Sequence, residues 1–339
     1  MATIIDVAQQ AGVSVKTVSR VLNNESNVRE KTAERVRAAM KALDYTPSTA
    51  ARELRSGRSR SIGMLFSDPS SGFQARLHHA ALTACSDAGY FLAAGIFDET
   101  AENWRRQLAE FLARTRVDNM VLVPPLCDSD DLLQELVDHK VATVLISPSH
   151  APEGAHVVRM DDYGAAREIT DHLLALGHTR LGHLTGPKGH VASADRERGF
   201  LDAIRADGRA QVRRDWIRPG LFRFKEAVAA AESMLGGVDR PTAIFAANDE
   251  TAAAVCFAAG RMGLRVPDDL SVAGFDDAPI ATTVWPPLTT IAQPFDAMAE
   301  AMVTLIGETP LQGEARWCGK TLTLPHALRP RASTSAPAS

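Results

Sequence analysis

The chain has 339 residues with a formal net charge of −4 at pH 7, and 45% of its residues are hydrophobic while 23% are charged. This length suits two or three domains with a sizeable core, and this composition is typical of a soluble globular protein. No apolar run approaches the roughly 20 residues of a membrane span, and the N-terminus predicts an ordered helix and not a signal peptide, so a cytoplasmic protein is expected.

The charge is divided unevenly along the chain. Residues 1–60 contain 11 Lys and Arg against 6 Asp and Glu, a balance of +5. Residues 61–339 contain 26 against 35, a balance of −9. The basic segment is therefore the N-terminal one, as the neutralisation of nucleic-acid phosphates requires.

Two short helices joined by a tight turn are predicted within residues 4–23. Gly12 is the residue that tolerates the turn, and the second helix begins at about Val15. The apolar spacing predicts the buried face of the pair, which consists of Ile5, Val7, Ala8 and Ala11 on the first helix and Val18, Val21 and Leu22 on the second. Two helices this short bury little alone, so a third is expected.

Residues 32–43 supply that third helix, with Val36, Met40 and Leu43 facing inward. The second helix then keeps an outward face of side chains suited to phosphates and base edges, namely Val15, Lys16, Thr17, Ser19 and Arg20. This pattern is typical of a helix-turn-helix with a recognition helix. A three-helix packing unit without a DNA role is the alternative.

The segment resembles the DNA-binding domain of the LacI/GalR family of bacterial transcription regulators. The resemblance runs through DVAxxAGVSxxTVSRVLN and continues through VREKTAERVRAAMKALDYTPSTAARELRSG. It implies a helix-turn-helix domain over residues 1–46. The DNA-contacting residues that it implies there are Thr3, Val15, Lys16, Thr17, Ser19, Arg20 and Asn23.

Residues 47–59 are predicted to form a linker. Pro47 biases the preceding residue away from helix, and Ser48 can cap a short segment over residues 49–55 that is marginal as a helix in water. The family resemblance implies a hinge helix that inserts Leu54 into the minor groove, with Arg52 and Arg55 near phosphates. A flexible tether is the alternative.

Strands and helices alternate from residue 61 onward, which predicts parallel sheets with right-handed crossovers. The predicted strands are residues 61–67, 90–97, 119–124, 141–147, 180–185, 243–248 and 271–276. The predicted helices are residues 74–89, 101–115, 129–139, 165–176, 195–206, 225–235 and 250–262.

Residues 60–328 resemble the effector-binding core of the same family, which is similar to periplasmic sugar-binding proteins. The matching motifs are LALGHTRLGHLTGP, RERGF, AANDETAAA, VPDDLSVAGFDD and PPLTTIAQP. The resemblance implies an α/β core of two parallel-sheet lobes, an N-lobe of about 60–159 plus 294–320 and a C-lobe of about 160–293 plus 321–331. Residues 332–339 are predicted to be a disordered tail from their Ser, Ala and Pro content.

Candidate effector residues follow the strand ends, where ligands bind in open parallel sheets. They are Ser67, Phe73, Ser147, Asp161, Arg196, Phe222, Asn248, Asp276, Gln293 and Phe295. Such a set suits a polyhydroxylated ligand, because its charged groups hold hydroxyl pairs and an aromatic face covers the sugar's C–H surface. The resemblance carries over Arg196, Asn248 and Asp276 most directly. Asn248 could instead cap the next helix, and the aromatics could be core residues.

These patterns together predict a transcriptional regulator, a repressor by resemblance, that binds a palindromic operator as a homodimer in the bacterial cytoplasm, on the nucleoid when bound. A small-molecule effector would control it, and a mono- or disaccharide is expected, although family members differ between sugars, nucleosides and purines. No cofactor, metal site or catalytic constellation is predicted. An enzyme of sugar metabolism and a sugar-transport component are the alternatives.

The four cysteines are widely scattered and include no CxxC pair. They are Cys85, Cys127, Cys256 and Cys318. Core packing is therefore predicted for them, rather than disulfides or a structural zinc.

Overall fold

A computed structural model describes residues 2–22, 28–45, 60–68, 71–237, 239–308 and 319–338. The chain divides into two compact units, Met1–Arg60 and Ser61–Ser339. Predictions for Asn23 and for the linker at 47–59, with its Arg52, Leu54 and Arg55, lie outside the described residues. Elements are numbered in chain order below.

The first unit contains three helices, α1 (Ile4–Ala11), α2 (Val15–Leu22) and α3 (Glu30–Ala42). Thr3 begins α1 as its N-cap, because its hydroxyl oxygen accepts from the Asp6 amide at 3.3 Å. Gly12 then turns the chain with a φ of 61°, and a guanidinium nitrogen of Arg35 on α3 donates to the Ala11 carbonyl at 2.5 Å. The turn between α1 and α2 is thus tied to α3.

The core of this unit is formed by small apolar side chains of all three helices, with Val7, Val18 and Val36 fully buried. The prediction for Ile5 is wrong, since 63% of its surface is exposed. Ile4 packs against the core instead. The reason is helical phase: positions 4, 7, 8 and 11 share one face, whereas position 5 is rotated by about 100°.

The first lobe of the second unit is built on a six-stranded sheet. Its strands are β1 (Ser61–Phe66), β2 (Phe91–Ile96), β3 (Asn119–Leu122), β4 (Ala142–Ile146), β5 (His156–Met160) and β11 (Thr321–Leu324). They lie in the order β11-β5-β4-β3-β1-β2, and every neighbouring pair is parallel. The helices of this lobe are α4 (Gly72–Asp87), α5 (Trp104–Thr115), α6 (Asp130–Asp138) and α12 (Phe295–Glu308).

The second lobe has a four-stranded parallel sheet in the order β7-β6-β8-β9. Its strands are β6 (Leu181–Thr185), β7 (Ile217–Pro219), β8 (Ala243–Ala246) and β9 (Ser271–Ala273). Its helices are α7 (Asp162–Ala175), α8 (Val191–Asp207), α9 (Phe224–Leu235), α10 (Asp249–Arg261) and α11 (Ile280–Thr283). A separate antiparallel pair joins β10 (Thr290–Ala292) to β12 (Ala327–Arg329). The α/β class with two parallel-sheet lobes is confirmed.

The C-terminal boundary of the lobes differs from the prediction. The segment 321–331 was assigned to the second lobe, but β11 pairs in parallel with β5 at the edge of the first sheet. The alternating Thr and Leu of β11 suit an edge strand that packs on one face only, which is why the sequence did not single it out.

The predicted disordered tail packs on the second lobe. Ser333 is fully buried: its carbonyl oxygen accepts from the Val272 amide of β9 at 2.8 Å, and its hydroxyl donates to the Val272 carbonyl at 2.6 Å. The Thr289 amide also donates to that hydroxyl at 2.8 Å. Composition misled the prediction because small polar side chains can also satisfy buried backbone groups.

Replacing Ser333 with Ala is expected to lower the free energy of unfolding by about 1–3 kcal/mol, because the Thr289 amide and Val272 carbonyl would lose a buried partner. Urea unfolding followed by circular dichroism measures this change. Ser335→Gly is not a suitable control because Ser335 also bonds to Ser271. The exposed Ser86→Ala is suitable. Equal midpoints for wild type and Ser333→Ala would contradict the tail's structural role.

Cys85, Cys127 and Cys256 are free and buried, as predicted, whereas Cys318 lies outside the described residues. Burial raises the pKa of the Cys85 thiol to about 11 and that of the Cys256 thiol to about 12. In the described part of the chain, none of the helices has both the length and the apolar character needed to span a bilayer.

Candidate DNA-binding face and effector cleft

Helix α2 presents polar and small apolar side chains on the face opposite its buried valines. Val18 and Val21 are buried, whereas Val15 and Lys16 at the start of the helix are exposed. The Ser14 hydroxyl accepts from the Thr17 amide at 3.1 Å and fixes the first turn. The N-terminal end of α2 is therefore open to a partner.

The other predicted contacts of this unit lie around the same helix or at the start of α1. Thr17, Ser19 and Arg20 are half-buried on α2, and Thr3 is exposed at the N-cap of α1. A helix N-terminus carries partial positive charge, and the first turn of α2 contains no acidic residue, so the start of α2 suits a phosphate group. The arrangement has the form of a recognition helix with flanking backbone contacts.

A cleft with a volume of about 890 Å³ lies between the two lobes of the second unit. It lies beyond the carboxyl ends of the strands. In each sheet it is next to the two neighbouring strands at which the strand order reverses direction, β1 and β3 in the first sheet and β6 and β8 in the second. Such switch points are the usual ligand sites of parallel sheets, and the volume is within the range of small-molecule pockets.

Seven of the predicted effector residues line this cleft: Phe73, Ser147, Arg196, Phe222, Asn248, Asp276 and Gln293. Three do not. The Ser67 hydroxyl accepts from the Gln74 amide at 3.2 Å, and the exposed Asp161 caps α7 by accepting from the Gly164 amide at 2.9 Å. Phe295 is buried in the first lobe's core, where its ring meets Phe73 edge-on at 5.5 Å.

Arg196 is the charged centre of the cleft. Its Nε donates to an Asp162 carboxylate oxygen at 2.8 Å, and one of its terminal nitrogens donates to the Ala247 carbonyl at 2.5 Å. That terminal nitrogen also lies 3.8 Å from a carboxylate oxygen of Asp276, and the guanidinium carbon is 3.6 Å from the ring centroid of Phe275. All three charged side chains are buried. The guanidinium is therefore fixed before any ligand arrives.

Close packing of α8 on α7 brings Arg196 to Asp162. Gly199, one turn after Arg196, lies against α7 so closely that an added Cβ would clash with the Tyr163 carbonyl oxygen. A side chain at this position would push the helices apart and lengthen the Arg196–Asp162 contact. The RERGF motif thus contains both the charged residue and the glycine that positions it.

Asp276 faces Arg196 from the turn that follows β9. Burial raises its pKa to about 6, although Arg196 and the hydrogen bond from the Gln293 amide at 2.6 Å act in the opposite direction. Its φ of 106° is in a region that non-glycine residues rarely adopt. Strained backbone of this kind often occurs at ligand sites.

Stability is expected to depend on pH through Asp276. Since the folded-state pKa is raised from 3.8, the stabilising contribution of this carboxyl is present below that value and is lost as pH rises through about 6. The free energy of unfolding of the wild type minus that of Asp276→Asn should therefore decrease between pH 4 and 7. Urea titrations at several pH values measure this difference. Parallel profiles for the two proteins would contradict the raised pKa.

Two aromatic rings line the cleft from opposite lobes. Phe73 lies in the first turn of α4, and Phe222 follows β7 with a φ of 58°. Gly186 admits the Phe222 ring, because an added Cβ would overlap it. The ring meets the His190 imidazole edge-on at 5.4 Å. Phe73 and Phe222 can thus cover the apolar surface of a ligand, whereas Phe295 supports Phe73 from behind.

Asn248 both lines the cleft and caps α10. Its side-chain oxygen accepts from the Thr251 amide at 2.9 Å, so the capping alternative accounts for this atom. Its Nδ2 is 3.4 Å from the Phe222 carbonyl. Ser147 lies directly after β4 with a φ of 47°. Any direct role for these two side chains remains a prediction.

The cleft contains residues that the sequence did not indicate. Gln74 is buried and joins the ends of β1 and β3: its amide nitrogen donates to the Pro124 carbonyl at 2.9 Å, and its carbonyl oxygen accepts from the Asp68 amide at 3.1 Å. Asp162 follows Asp161 by one residue and carries the contact to Arg196. The sequence did contain a signal for Asp162, namely a carboxylate in the first turn of α7 on the side that faces α8.

Carboxylates outnumber cations in the cleft lining. The acidic side chains are Asp68, Glu99, Asp128, Asp162, Glu250 and Asp276, against Lys188, Arg196 and Arg223. Burial lowers the pKa of His190, so this ring adds no positive charge near neutral pH. The cleft therefore presents a net negative field with many hydrogen-bond acceptors.

Comparisons with known proteins match both units. Residues 3–48 match a family model described as "Bacterial regulatory proteins, lacI family", and residues 170–334 match "Periplasmic binding protein-like domain". The chain is 35% identical over 312 residues to the HTH-type transcriptional repressor PurR of Photobacterium profundum, covering 91% of this chain and 92% of the relative. Identity to PurR of Vibrio cholerae is 36%, covering 87% of each.

Solved structures with similar folds include two at 29% identity. One is a complex of the transcriptional regulator CelR with cellobiose, with a TM-score of 0.72 over 98% of this chain and 100% of that one. The other is the lac repressor dimer bound to operator and the anti-inducer ONPF, with a TM-score of 0.77 over 99% of each chain.

Proposed function

The chain belongs to the LacI family of bacterial regulatory proteins, and we propose that it represses genes by binding a palindromic operator as a homodimer. An effector in the cleft would control this binding. We propose an uncharged, hydroxyl-rich effector, namely a mono- or disaccharide. The observation that carries the effector part is the buried Arg196, held by Asp162 and facing Asp276 in the cleft. The protein would act in the bacterial cytoplasm, and it would lie on the nucleoid when bound to DNA.

The DNA part of the proposal is supported by the first unit. Val15 and Lys16 are exposed at the start of α2 while its other face is buried, so bases in the major groove would meet these side chains first. Ser19 and Arg20 would lie nearer the phosphates. One such helix reads too few base pairs for specificity, which favours two-fold pairing of the chain.

Exposed apolar side chains support a dimer of the second unit. Phe91 and Ile96 are exposed on β2, the edge strand of the six-stranded sheet, and 86% of the Trp285 surface is exposed on the second lobe. Apolar edge strands attract a partner unless they are covered. The solved lac repressor with a similar fold is a dimer, which supports a second copy of this chain as the occupant.

The charge of the cleft supports the effector class. Arg196 already faces two carboxylates, and carboxylates outnumber cations in the rest of the lining, so a phosphorylated or carboxylated sugar would be repelled. Hydroxyl groups, in contrast, can donate to Asp276 and accept from Arg196. The similar regulator CelR was solved with cellobiose. A neutral sugar therefore fits better than an anionic one.

Fluorescence anisotropy of the full-length protein on labelled DNA from upstream of its own gene tests this function. The titration is run at two salt concentrations and repeated with glucose, ribose, cellobiose, adenine, guanine, gluconate and glucose 6-phosphate. We expect sequence-selective, salt-sensitive binding that a neutral sugar changes at least tenfold, which is about 1.4 kcal/mol of coupling.

The other outcomes separate the parts of the proposal. A response to a nucleobase alone would keep the repressor function and replace the sugar by a purine. A response to gluconate or glucose 6-phosphate would contradict the charge argument. Equal binding to scrambled DNA would contradict the operator role.

A further inference from the structure

Arg76 connects the first lobe to the turn that presents Asp276. It lies on α4, one helical turn after Phe73, and a terminal nitrogen of its guanidinium donates to the Asp277 carbonyl at 3.0 Å. The guanidinium carbon also lies 5.3 Å from the ring centroid of Phe295 on α12. Arg76 is thus held by the first lobe while it bonds to the backbone of the second.

The turn at residues 276–278 is otherwise fixed from the second lobe. The Ala278 amide donates to the buried Asp249 carboxylate at 2.7 Å, and the Asp277 carboxylate accepts from Arg331 at 2.6 Å. Both Asp276 and Asp277 have positive φ, at 106° and 53°. A strained turn keeps its shape only while its contacts hold it. Arg76 provides the contact from across the cleft.

The start of α4 also comes close to the same turn of the second lobe, next to the hydrogen bond of Arg76. A Cβ added to Gly72, at the start of α4, would lie 3.7 Å from the Ala278 side chain. The first turn of α4 also carries Phe73 and Gln74 into the cleft. The same helix therefore touches the space for the ligand and the turn that carries a ligand-facing carboxylate.

We propose that Arg76 is a positioning residue for the effector site. By donating to the Asp277 carbonyl from the first lobe, it fixes the position of the Asp276 carboxylate. It also couples ligand binding at the second lobe to the position of α4. This role rests on the proposed function of the cleft. The guanidinium acts through the turn and need not touch the ligand. A ligand that moves Asp276 would strain or relieve the bond to Arg76, and α4 would respond.

Arg76→Met tests this role in the full-length protein, because Met keeps a long side chain without donor or charge. Arg76→Lys keeps the charge and a group that can donate to the Asp277 carbonyl, and Arg114→Met on α5 is an exposed matched control. Anisotropy on operator DNA is measured with and without each compound of the panel above. We expect the wild-type tenfold response to fall below about threefold in Arg76→Met, to recover partly in Arg76→Lys and to be unchanged in Arg114→Met.

If the wild type responds to no compound, the proposed function is contradicted, but the positioning role of Arg76 is not yet tested. A measurement without ligand tests that role separately. The charged groups facing Asp276 are Arg196, Asp162, Asp249 and Arg76. Burial raises the pKa of Asp276, and the Arg76 charge is one of the weaker influences that act against this rise. The change in unfolding free energy caused by Asp276→Asn depends on pH, and the midpoint of this dependence is the pH at which half of the change has occurred. This midpoint should therefore be higher in the Arg76→Met background than in the wild-type background. A loss of packing alone would not move this midpoint.

The proposal is supported by a reduced effector response or, without any response, by an upward shift of that midpoint that Arg76→Lys reverses. It is overturned if Arg76→Met responds to the effector as the wild type and Arg114→Met do. Without an effector response, an unmoved midpoint overturns it.

Discussion

Replacing Arg196 with Met is expected to abolish the effector response and to lower the free energy of unfolding by about 3–5 kcal/mol. The change would leave the buried Asp162 and Asp276 carboxylates without their cation and the Ala247 carbonyl without its donor. Effector binding followed by calorimetry and urea unfolding measure the two effects. We expect at least a hundredfold loss of affinity, since charged hydrogen bonds to hydroxyls would be lost together with the alignment of Asp276.

Arg198→Met is the matched control, because it lies on the same helix and pairs with Asp195 at the surface. Exposed pairs contribute little, so we expect a change below about 1 kcal/mol. Arg196→Lys should retain part of the stability but not the affinity, since an ammonium cannot form the fork to Asp162. Normal effector binding by Arg196→Met would exclude this side chain from the site.

Replacing Arg20 with Ala is expected to weaken DNA binding by about 1–3 kcal/mol, on every sequence if Arg20 contacts a phosphate. In that case the slope of log affinity against log salt should also decrease by about one. Changes at Lys16 or Val15 should instead alter which operator is preferred, because these side chains lie at the exposed start of α2. Anisotropy on a panel of single-base operator variants distinguishes the two effects.

Arg37→Ala is a control for the loss of positive charge in the same unit, since Arg37 is exposed on α3 and pairs with Glu30 at 2.7 Å. Its effect on affinity should be small. If Lys16 variants bind every operator variant with the wild-type order of preference, α2 does not read bases through this residue.

The sequence predicted most of the long elements because their burial is one-sided or complete and their length is sufficient. The 14-residue helix α12 (Phe295–Glu308) is the exception, since no helix was predicted there. Predicted and observed bounds of α9, for example, differ by one residue, at 225–235 and Phe224–Leu235. It did not indicate β5, β7 or β11, which have three to five residues and depend on neighbours far along the chain. Pairing of this kind is set by the tertiary fold and leaves little local signal.

The site was predictable where a motif fixes a charged residue, as at Arg196 and Asp276. It was not predictable where helical phase decides between neighbours: Asp161 caps α7, and Asp162 turns inward to Arg196. Gln74 had no signal, because its role depends on loops after β1 and β3 that meet only in the folded lobe. Phe295 shows the opposite error, since an aromatic near a strand end was assigned to the ligand but belongs to the core.

Residues 321–333 complete both lobes, although they follow the other strands of each sheet along the chain, and this order affects how the protein is made. The first sheet receives β11 at Thr321–Leu324 only after its other five strands have left the ribosome, and the second sheet receives Ser333 after all four of its strands have done so. Until then β5 has an open edge and β9 lacks its cover. A chain ended early by a nonsense codon therefore contains an intact N-terminal unit joined to two unfinished lobes, which exposes it to proteases. Such quality control would keep defective chains from competing with the full-length protein for DNA.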